Sequence, residues 1–189
     1  TSDNSSGSGI FVAVGLSGTI VRSTDNGSSW DNATSPTSNH LWGVRFGNNT
    51  FVGVGNSGTI VRSTDNGSSF SSWNLSGVNH LTDVSFGNNT FVAVGEDGNI
   101  LRSTDNGSSW DNVTSGTGNT LDDVAFGNNT FVVSGANGTI VRSTDNGANW
   151  DDATVPATLS SYRVWGAGFG NNTFVGTTHT GKIVRSSDN

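Results

Sequence analysis

The stretch Ser23–Trp30 reads STDNGSSW, and close copies of these eight letters begin at Ser63, Ser103 and Ser143. Successive copies are separated by 40 residues. Each copy combines an Asp-Asn-Gly turn signal with an aromatic residue that closes the phrase. A turn repeated at a fixed step indicates that the chain is built from equivalent structural units.

A second phrase, FGNNTFV, repeats in step with the first. It begins at four phenylalanines spaced by 40, 40 and 43 residues, namely Phe46, Phe86, Phe126 and Phe169. The segments around it hold short apolar runs and show no helical periodicity. A period of about 40 residues with strand-like runs is typical of propeller blades.

The second unit shows how one blade is organised. It holds four strand-sized runs, LWGVRFG (41–47), NTFVGVG (49–55), GTIVRST (58–64) and SSFSSWN (68–74). The turn signals GNN, GNSG and DNG separate them, and Asn and Gly tolerate the positive φ of tight hairpins. The unit therefore predicts a four-stranded antiparallel meander, and no segment of the chain predicts a helix.

The fold class predicted is all-β, a five-bladed β-propeller with blades of about 40 residues, in a single domain spanning 1–189. The repeats lie at approximately 10–46, 47–86, 87–126, 127–169 and, in part, 170–189. Because the last repeat stops inside its turn, one blade is expected to be composite or incomplete at the termini. Either the termini share a blade, or a continuation of the chain or a neighbouring chain supplies the missing strands, so strand complementation and a homo-oligomer both stay open.

The repeated phrase matches the Asp-box pattern, Ser/Thr-x-Asp-x-Gly-x-x-Trp/Phe. The chain therefore resembles Asp-box (BNR-type) propellers, a group that includes sialidases, sortilin-type receptors and photosystem II assembly-factor-like proteins. The longer stretch GTIVRSTDNGSSW (18–30) is most similar to the assembly-factor-like group. The resemblance implies that the motif lies between the third and fourth strands, away from the central channel.

The Asp-box is interpreted as a structural clasp, since a catalytic group is needed once and not in every blade. Its Asp can accept backbone N–H groups of the turn, its Gly takes the positive φ, and its aromatic anchors the hairpin. The residues assigned to this role are Ser23, Asp25, Gly27, Trp30, Ser63, Asp65, Gly67, Phe70, Ser103, Asp105, Gly107, Trp110, Ser143, Asp145, Gly147 and Trp150.

An arginine precedes each Asp-box turn. Folding the hairpin about this turn places Arg22 opposite Asp31, which predicts a cross-strand ion pair, and the same holds in the third and fourth repeats. The alternative is an arginine patch for an acidic partner. Arg62 faces a serine and Arg185 has no predicted partner, so these two arginines are the freest to bind.

The connections between blades carry the residues that do not repeat. The last connection has a three-residue insertion and brings together Tyr162, Arg163 and Trp165, while Trp42 is the repeat equivalent of Trp165. Loops on a rigid scaffold commonly bind partners, and Trp with Arg is a common recognition pair. These aromatics either form a binding surface or plug the central channel.

Composition excludes several classes of function. The chain carries a formal charge of −7 without a basic run, so nucleic-acid binding is not predicted. No apolar stretch reaches the about 18 residues that a membrane span needs. Cysteine is absent, the three histidines lack metal-ligand spacing, and the adjacent Glu96 and Asp97 are simply a solvated turn. Neither a metal nor a cofactor is predicted.

No catalytic constellation is predicted either. A sialidase-like site needs a tyrosine, a glutamate and an arginine trio, and the only Tyr and Glu, Tyr162 and Glu96, lie two blades apart in sequence. Asp83, Asp122 and Asp123 are acids outside the repeat, without a recognisable context that raises their pKa. The sequence thus predicts that the chain is not an enzyme.

The function predicted is a non-catalytic binding or structural module of an extracellular or surface assembly. It would bind a protein or glycan partner through its loop face or through strand pairing at the open blade. The alternatives are a carbohydrate-binding lectin and an assembly-factor-like protein-binding propeller, and a sialidase-like glycosidase fits the sequence least.

Overall fold

Apolar residues in short runs between Asn-Gly turns fold this chain into five antiparallel sheets, one for each repeat. The computed structural model describes the backbone of residues 2–3 and residues 9–186. We number the sheets as blades 1 to 5 in chain order and call the first strand of each its inner strand.

The strands of blades 1 and 2 are β1 (Ser2–Asp3), β2 (Phe11–Val14), β3 (Ile20–Ser23), β4 (Asp31–Asn32), β5 (Leu41–Gly47), β6 (Thr50–Gly55), β7 (Thr59–Ser63) and β8 (Ser71–Asn74). Those of blades 3 and 4 are β9 (Leu81–Gly87), β10 (Thr90–Gly95), β11 (Ile100–Ser103), β12 (Asp111–Val113), β13 (Leu121–Gly127), β14 (Thr130–Gly135), β15 (Ile140–Ser143) and β16 (Asp151–Asp152). Blade 5 consists of β17 (Val164–Gly170), β18 (Thr173–Thr178) and β19 (Ile183–Arg185).

The prediction of an all-β, five-bladed propeller is confirmed. Each of blades 1 to 4 is a four-stranded meander, and blade 5 has three strands in the described part of the chain. Between strands, the described residues form only short 3₁₀ turns, and none of them forms a helix able to cross a membrane. The inner strand β1 was not predicted, because Ser2–Asp3 lies in a polar stretch without apolar alternation.

The hairpin turns show why Asn and Gly recur at fixed positions. Asn48 and Asn49, between β5 and β6, have φ of 47° and 57°, and their repeat equivalents are alike. In the first Asp-box, Asn26 and Gly27 have φ of 61° and 83°. These left-handed conformations are accessible to Asn and Gly at low cost. The turn residues therefore fix the hairpin lengths and, with them, the strand register.

The hydrophobic core lies between neighbouring blades. One face of a blade presents Val and Ile, as Val52 and Ile60 do in blade 2, and the next blade covers them with Leu, Phe and Val side chains. The inner strands of blades 2 to 5 also contact one another in order. Because blades 2, 3 and 4 are covered on both faces, their second strands are nearly continuous apolar runs.

In blades 2, 3 and 4 a glycine at the end of the inner strand lets the next blade approach. A Cβ on Gly47 would lie 2.2 Å from the ring of Phe86, and one on Gly87 would lie 2.2 Å from that of Phe126. Phe169 covers Gly127 in the same way. The FG pair of the repeat is thus an interblade contact, in which the Phe of one blade packs on the Gly of the preceding blade.

Candidate functional site at the upper face

Because the strands of a blade alternate in direction, the loops of every blade lie at one of two opposite ends. The connections between blades reach the start of each inner strand at one end, which we call the upper face (residues 40–43, 80–83, 120–123 and 162–166). The Asp-box turns lie at the opposite end, which we call the clasp face. Four of the predicted binding residues, Trp42, Tyr162, Arg163 and Trp165, lie at the upper face.

Arg163 forms the best-defined polar contact of the upper face. Its Nε donates to Asp122 Oδ2 at 2.7 Å, and its Nη2 donates to Asp122 Oδ1 at 2.5 Å. This two-pronged geometry joins blades 4 and 5 and is the strongest common form of an ion pair. The hydrogen bonds that Asp122 accepts, together with the charge of its carboxylate, raise the pKa of the Arg163 guanidinium.

A cluster of aromatic and basic side chains surrounds this ion pair. Lys182 Nζ donates to the Tyr162 hydroxyl at 2.7 Å and lies 4.1 Å from the centre of the Tyr162 ring. The His179 ring lies 6.0 Å from that of Tyr162 and 6.1 Å from that of Trp165. Trp165 remains 58% exposed, so its indole offers a flat apolar surface to a ligand.

Trp42 is held in place on blade 2 and is 44% exposed. Its Nε1 donates to Asn56 Oδ1 at 2.6 Å, and its ring meets the His40 ring edge-on at 5.8 Å. His40 in turn accepts the backbone N–H of Ser17 from blade 1. The indole is therefore held in a fixed orientation while Trp42 stays exposed, which suits an aromatic that binds a partner.

Two aspartates that the sequence left without a role lie side by side on the inner strands. Asp83 Oδ2 accepts the N–H of Val124 at 3.1 Å, and Asp123 Oδ2 accepts the N–H of Ala167, so each carboxyl reaches the following blade. Burial, then the hydrogen bond and charge of Asp123, raise the pKa of Asp83 well above its usual value. The expectation that no acid here has such a context was wrong.

The signal for this pair was the spacing, since Asp83 and Asp123 occupy equivalent positions 40 residues apart on neighbouring inner strands. The influence of Asp123 on the pKa of Asp83 indicates that the two carboxyls lie close together. Glycoside hydrolases keep their two carboxyl groups roughly 5 to 9.5 Å apart, with the sugar between them. Here each carboxyl instead accepts a backbone N–H of the following blade, so the pair joins blades 3, 4 and 5.

The Asp-box residues occupy the clasp face and contact one another within each turn. Asp65 Oδ1 accepts the Ser63 hydroxyl at 2.7 Å and the Ser69 N–H at 3.0 Å, while the Ser69 hydroxyl donates to Oδ2 at 2.6 Å. The donors at Ser69 and Ser63 lower the pKa of Asp65 to about 2. The other three boxes show the same pattern around Asp25, Asp105 and Asp145.

The arginines before the Asp-box do not form the ion pairs that the sequence predicted. The register is as expected, with Arg22 opposite Asp31 and Arg62 opposite Ser71. The salt bridge found among the described residues, however, is that of Arg163 with Asp122. Arg22 Nε donates instead to the carbonyl oxygen of Asn66 in the next blade, at 2.6 Å.

Arg62 is held in the same way, because its Nε donates to the carbonyl oxygen of Asn106 at 2.7 Å. The guanidinium of Arg62 is therefore not free, although the residue opposite it is a serine and not an aspartate. Arg62 lies one residue before the clasp turn, at the opposite end from Trp42 and Trp165. The structure thus brings the other four predicted binding residues to the upper face and places Arg62 elsewhere. No cluster of three or more metal-ligating side chains occurs among residues 2–3 and 9–186.

Five blades, four of which carry a full Asp-box, and an aromatic and charged upper face define a BNR-type β-propeller. The chain belongs to the family described as photosynthesis system II assembly factor YCF48, whose sequence model matches residues 28–158. No match was found among curated proteins.

Solved structures support the fold. "YCF48 bound to D1 peptide" is 19% identical, with a TM-score of 0.72 over 94% of this chain and 59% of the other. "YCF48 from Cyanidioschyzon merolae" is 18% identical, with a TM-score of 0.73 over 100% of this chain and 66% of the other. "Crystal structure of AFV00434, an ancestral GH74 enzyme" is 19% identical, with a TM-score of 0.67 over 95% of this chain and 30% of the other. The chain thus spans about three-fifths of the length of the peptide-bound structure.

Proposed function

We propose that the chain is a non-catalytic, protein-binding propeller of the assembly-factor type, which binds a segment of a client polypeptide at its upper face. Membership of the YCF48 family supports this role, as does the likeness to a propeller described as bound to a D1 peptide. An extracellular or surface location, inferred from the acidic and polar composition, remains part of the proposal. Fractionation of producing cells tests it.

The observation that carries the proposal is the cluster around Trp165. An indole that is 58% exposed stands beside a fixed ion pair and a lysine that uses one of its three N–H donors on Tyr162. Exposed Trp next to Arg is the usual composition of a binding hot spot. The segment that fits this cluster has apolar side chains for the indole and a carboxylate for Lys182.

A synthetic peptide array probed with the labelled chain tests the proposal, followed by affinity measurements on the peptides it retains. Trp165→Thr and Trp42→Thr replace each indole by threonine, which is the residue at the equivalent position of blade 3, Thr82. Both variants should weaken peptide binding roughly tenfold or more. Trp30→Phe copies Phe70 of the next Asp-box, changes an exposed indole at the clasp face and should leave affinity unchanged. If both upper-face variants bind like the parent, the proposed site is wrong.

The lectin alternative would use the same tryptophans, one for each sugar site. Thr82 and Asp122 occupy the equivalent positions in blades 3 and 4, and the Asp122 carboxylate is already bound to Arg163. The upper face therefore favours one continuous contact with a polypeptide over repeated sugar sites. A glycan array on which the chain binds a defined sugar would reverse this preference.

A further inference from the structure

Blade 2 ends in a fourth strand, β8, that differs from the other fourth strands in length and charge. β8 has four residues, whereas β4, β12 and β16 have two, three and two. These three shorter strands each begin with an aspartate, namely Asp31, Asp111 and Asp151, while β8 begins with Ser71. Residues 66–82 contain no Asp, Glu, Lys or Arg. Among the described residues, β8 is therefore the longest fourth strand and the only one without a charged side chain.

The side of β8 that faces away from β7 carries unpaired backbone groups. β8 pairs with β7 and has no strand on its other side among the described residues, and we call that side the outer edge of blade 2. The N–H of Leu75 donates to the carbonyl oxygen of Gly58 at 3.0 Å, on the β7 side. Because bonding directions alternate along a strand, the backbone groups of Trp73 also face β7, and those of Ser72 and Asn74 face the outer edge. Two N–H and two C=O groups are thus available to an added strand.

The aspartates of the other fourth strands hinder association at their edges. A charged side chain on an edge strand opposes pairing with a further strand. Because the chain carries a formal charge of −7, each such carboxylate also repels a second copy of the chain. Ser71 takes the place of the aspartate in blade 2, so the outer edge of blade 2 lacks this protection.

Trp73 has no aromatic equivalent in the other fourth strands. Ala33, Val113 and Ala153 occupy its position in blades 1, 3 and 4. Trp73 lies opposite Ile60 of β7 and packs, half-buried, against the hydrophobic cluster between blades 2 and 3. A half-buried tryptophan on an edge strand can also pack against the side chain directly opposite it on an added strand.

We propose that two copies of this chain form a twofold-symmetric dimer in which their β8 strands pair antiparallel. Ser72 would lie opposite Asn74 of the partner subunit, and the reverse, so that every outward backbone group of these residues is hydrogen-bonded. Trp73 would then lie opposite Trp73 of the partner subunit at the twofold axis, with both rings on the same face of the joined sheet. The occupant is a second copy because β8 is self-complementary in this register, in which no charges meet and the two aromatics form a pair.

The dimer should be weak, because each copy contributes one strand of four residues. Stable interfaces bury roughly 1,200–2,000 Å², and contacts smaller than this are typical of transient association. We therefore expect a dissociation constant on the order of 100 µM. Sedimentation velocity with the full 189-residue chain, at concentrations from about 10 µM to about 1 mM, should show conversion of monomer to dimer.

Two variants test whether β8 forms the contact. Ser72→Pro removes an N–H from the outer edge, where Pro is tolerated, and should weaken dimerisation roughly tenfold or more while thermal unfolding stays close to that of the parent. Asn32→Pro makes the same change at the equivalent position of blade 1 and should leave dimerisation unchanged. Trp165→Thr at the upper face should also leave it unchanged, so failure of this dimer and failure of the proposed function are separable.

Cysteine crosslinking tests the register, since the chain has no cysteine of its own. In the proposed pairing the Cα atoms of the two residues at position 73 are about 4.5 Å apart, within the range of about 4.4–6.8 Å that a disulfide spans. Oxidised Trp73→Cys should therefore form a covalent dimer on a non-reducing gel at least roughly ten times faster than Ala33→Cys, the matched variant of blade 1. A chain that stays monomeric up to about 1 mM overturns the proposal. So does a dimer that Ser72→Pro and Asn32→Pro weaken equally, or equal crosslinking of the two cysteine variants.

Discussion

The Nε of Arg62 donates to the backbone carbonyl oxygen of Asn106, 2.7 Å away and one blade further along the chain. The same bond joins Arg22 to Asn66 and Arg102 to Asn146. These three third-strand arginines therefore fasten their blades to the Asp-box turn of the next blade. The arginine of the repeat is an interblade connector, and the positive φ of the Asn that receives the bond orients that carbonyl oxygen.

Arg62→Met keeps the aliphatic stem and removes the donor to Asn106. We expect a loss of about 1–2 kcal/mol in the free energy of unfolding, because a half-buried carbonyl oxygen loses a charged donor. Urea denaturation measures the change. Arg185→Met serves as the control, since Arg185 is exposed and makes no such bond to the described residues, and should change stability by less than about 0.5 kcal/mol. Equal losses in both variants would contradict the interblade role.

Gly87→Ala should destabilise the chain by roughly 3 kcal/mol or more, because the added Cβ would meet the Phe126 ring at 2.2 Å. Gly170→Ala makes the same change at the equivalent position of blade 5, where no described atom lies within 4 Å of the new Cβ. It should be close to neutral. Thermal unfolding of the two variants side by side tests whether the FG pair of the repeat is an interblade contact.

The repeat predicted the fold almost completely, because turn chemistry and strand periodicity act locally. Asn-Gly and Asn-Asn pairs fix hairpin length, and the 40-residue step fixes the number of blades, so the strands are readable one blade at a time. The inner strand β1 was not predicted, because its two residues are polar and form a strand only by pairing with β2.

Contacts between blades could not be predicted from one repeat. Arg22 was expected to pair with Asp31 across its own hairpin, and the register is correct, yet its Nε bonds to Asn66 of the next blade. The contact of Asp83 with Asp123 likewise depends on how neighbouring inner strands are offset. Spacing identified the four upper-face residues as neighbours at one end of the blades, but the partners of Arg163 and Trp42 follow from blade packing.

The Asp-box aspartates give the chain a defined response to acid. Hydrogen bonds from Ser69 and Ser63 lower the pKa of Asp65 to about 2, and Asn149 and Ser143 do the same for Asp145. At Asp105 burial opposes the shift, yet the donors of Ser109 still lower the pKa to about 2. A depressed carboxyl pKa stabilises the fold above the unfolded value, and this stability is lost as the pH falls from about 4 to about 2.

We therefore expect the urea midpoint to fall over that window in the parent chain. Asp65→Asn keeps one acceptor oxygen but cannot ionise, so the fall between pH 4 and pH 2 should be shallower. Asp65→Ala should cost about 1–2 kcal/mol at pH 7, because it removes the acceptor for Ser63 and Ser69. The exposed Asp31 on β4, replaced by Asn, is the matched control and should reproduce the acid response of the parent. If the urea midpoint of Asp65→Asn falls between pH 4 and pH 2 as steeply as that of the parent chain, the Asp-box aspartate is not the source of the acid response.

Asp83 responds to pH in the opposite sense. Burial and the neighbouring Asp123 raise the pKa of Asp83, so the folded chain holds a proton that the unfolded chain releases at lower pH. Stability from this group is present below pH 3.8 and is lost as the pH rises toward the raised pKa. Asp83→Asn can still accept the N–H of Val124 and carries no charge to desolvate.

We expect Asp83→Asn to be more stable than the parent at pH 7 by an amount on the order of 1 kcal/mol, the usual scale for a single substitution. The gain should shrink as the pH is lowered toward 4, where the parent carboxyl is protonated. Urea unfolding at several pH values between 4 and 8 measures both effects, with Asp31→Asn as the control. If Asp83→Asn destabilises the chain equally at pH 4 and pH 7, the pKa of Asp83 is not raised in the folded chain.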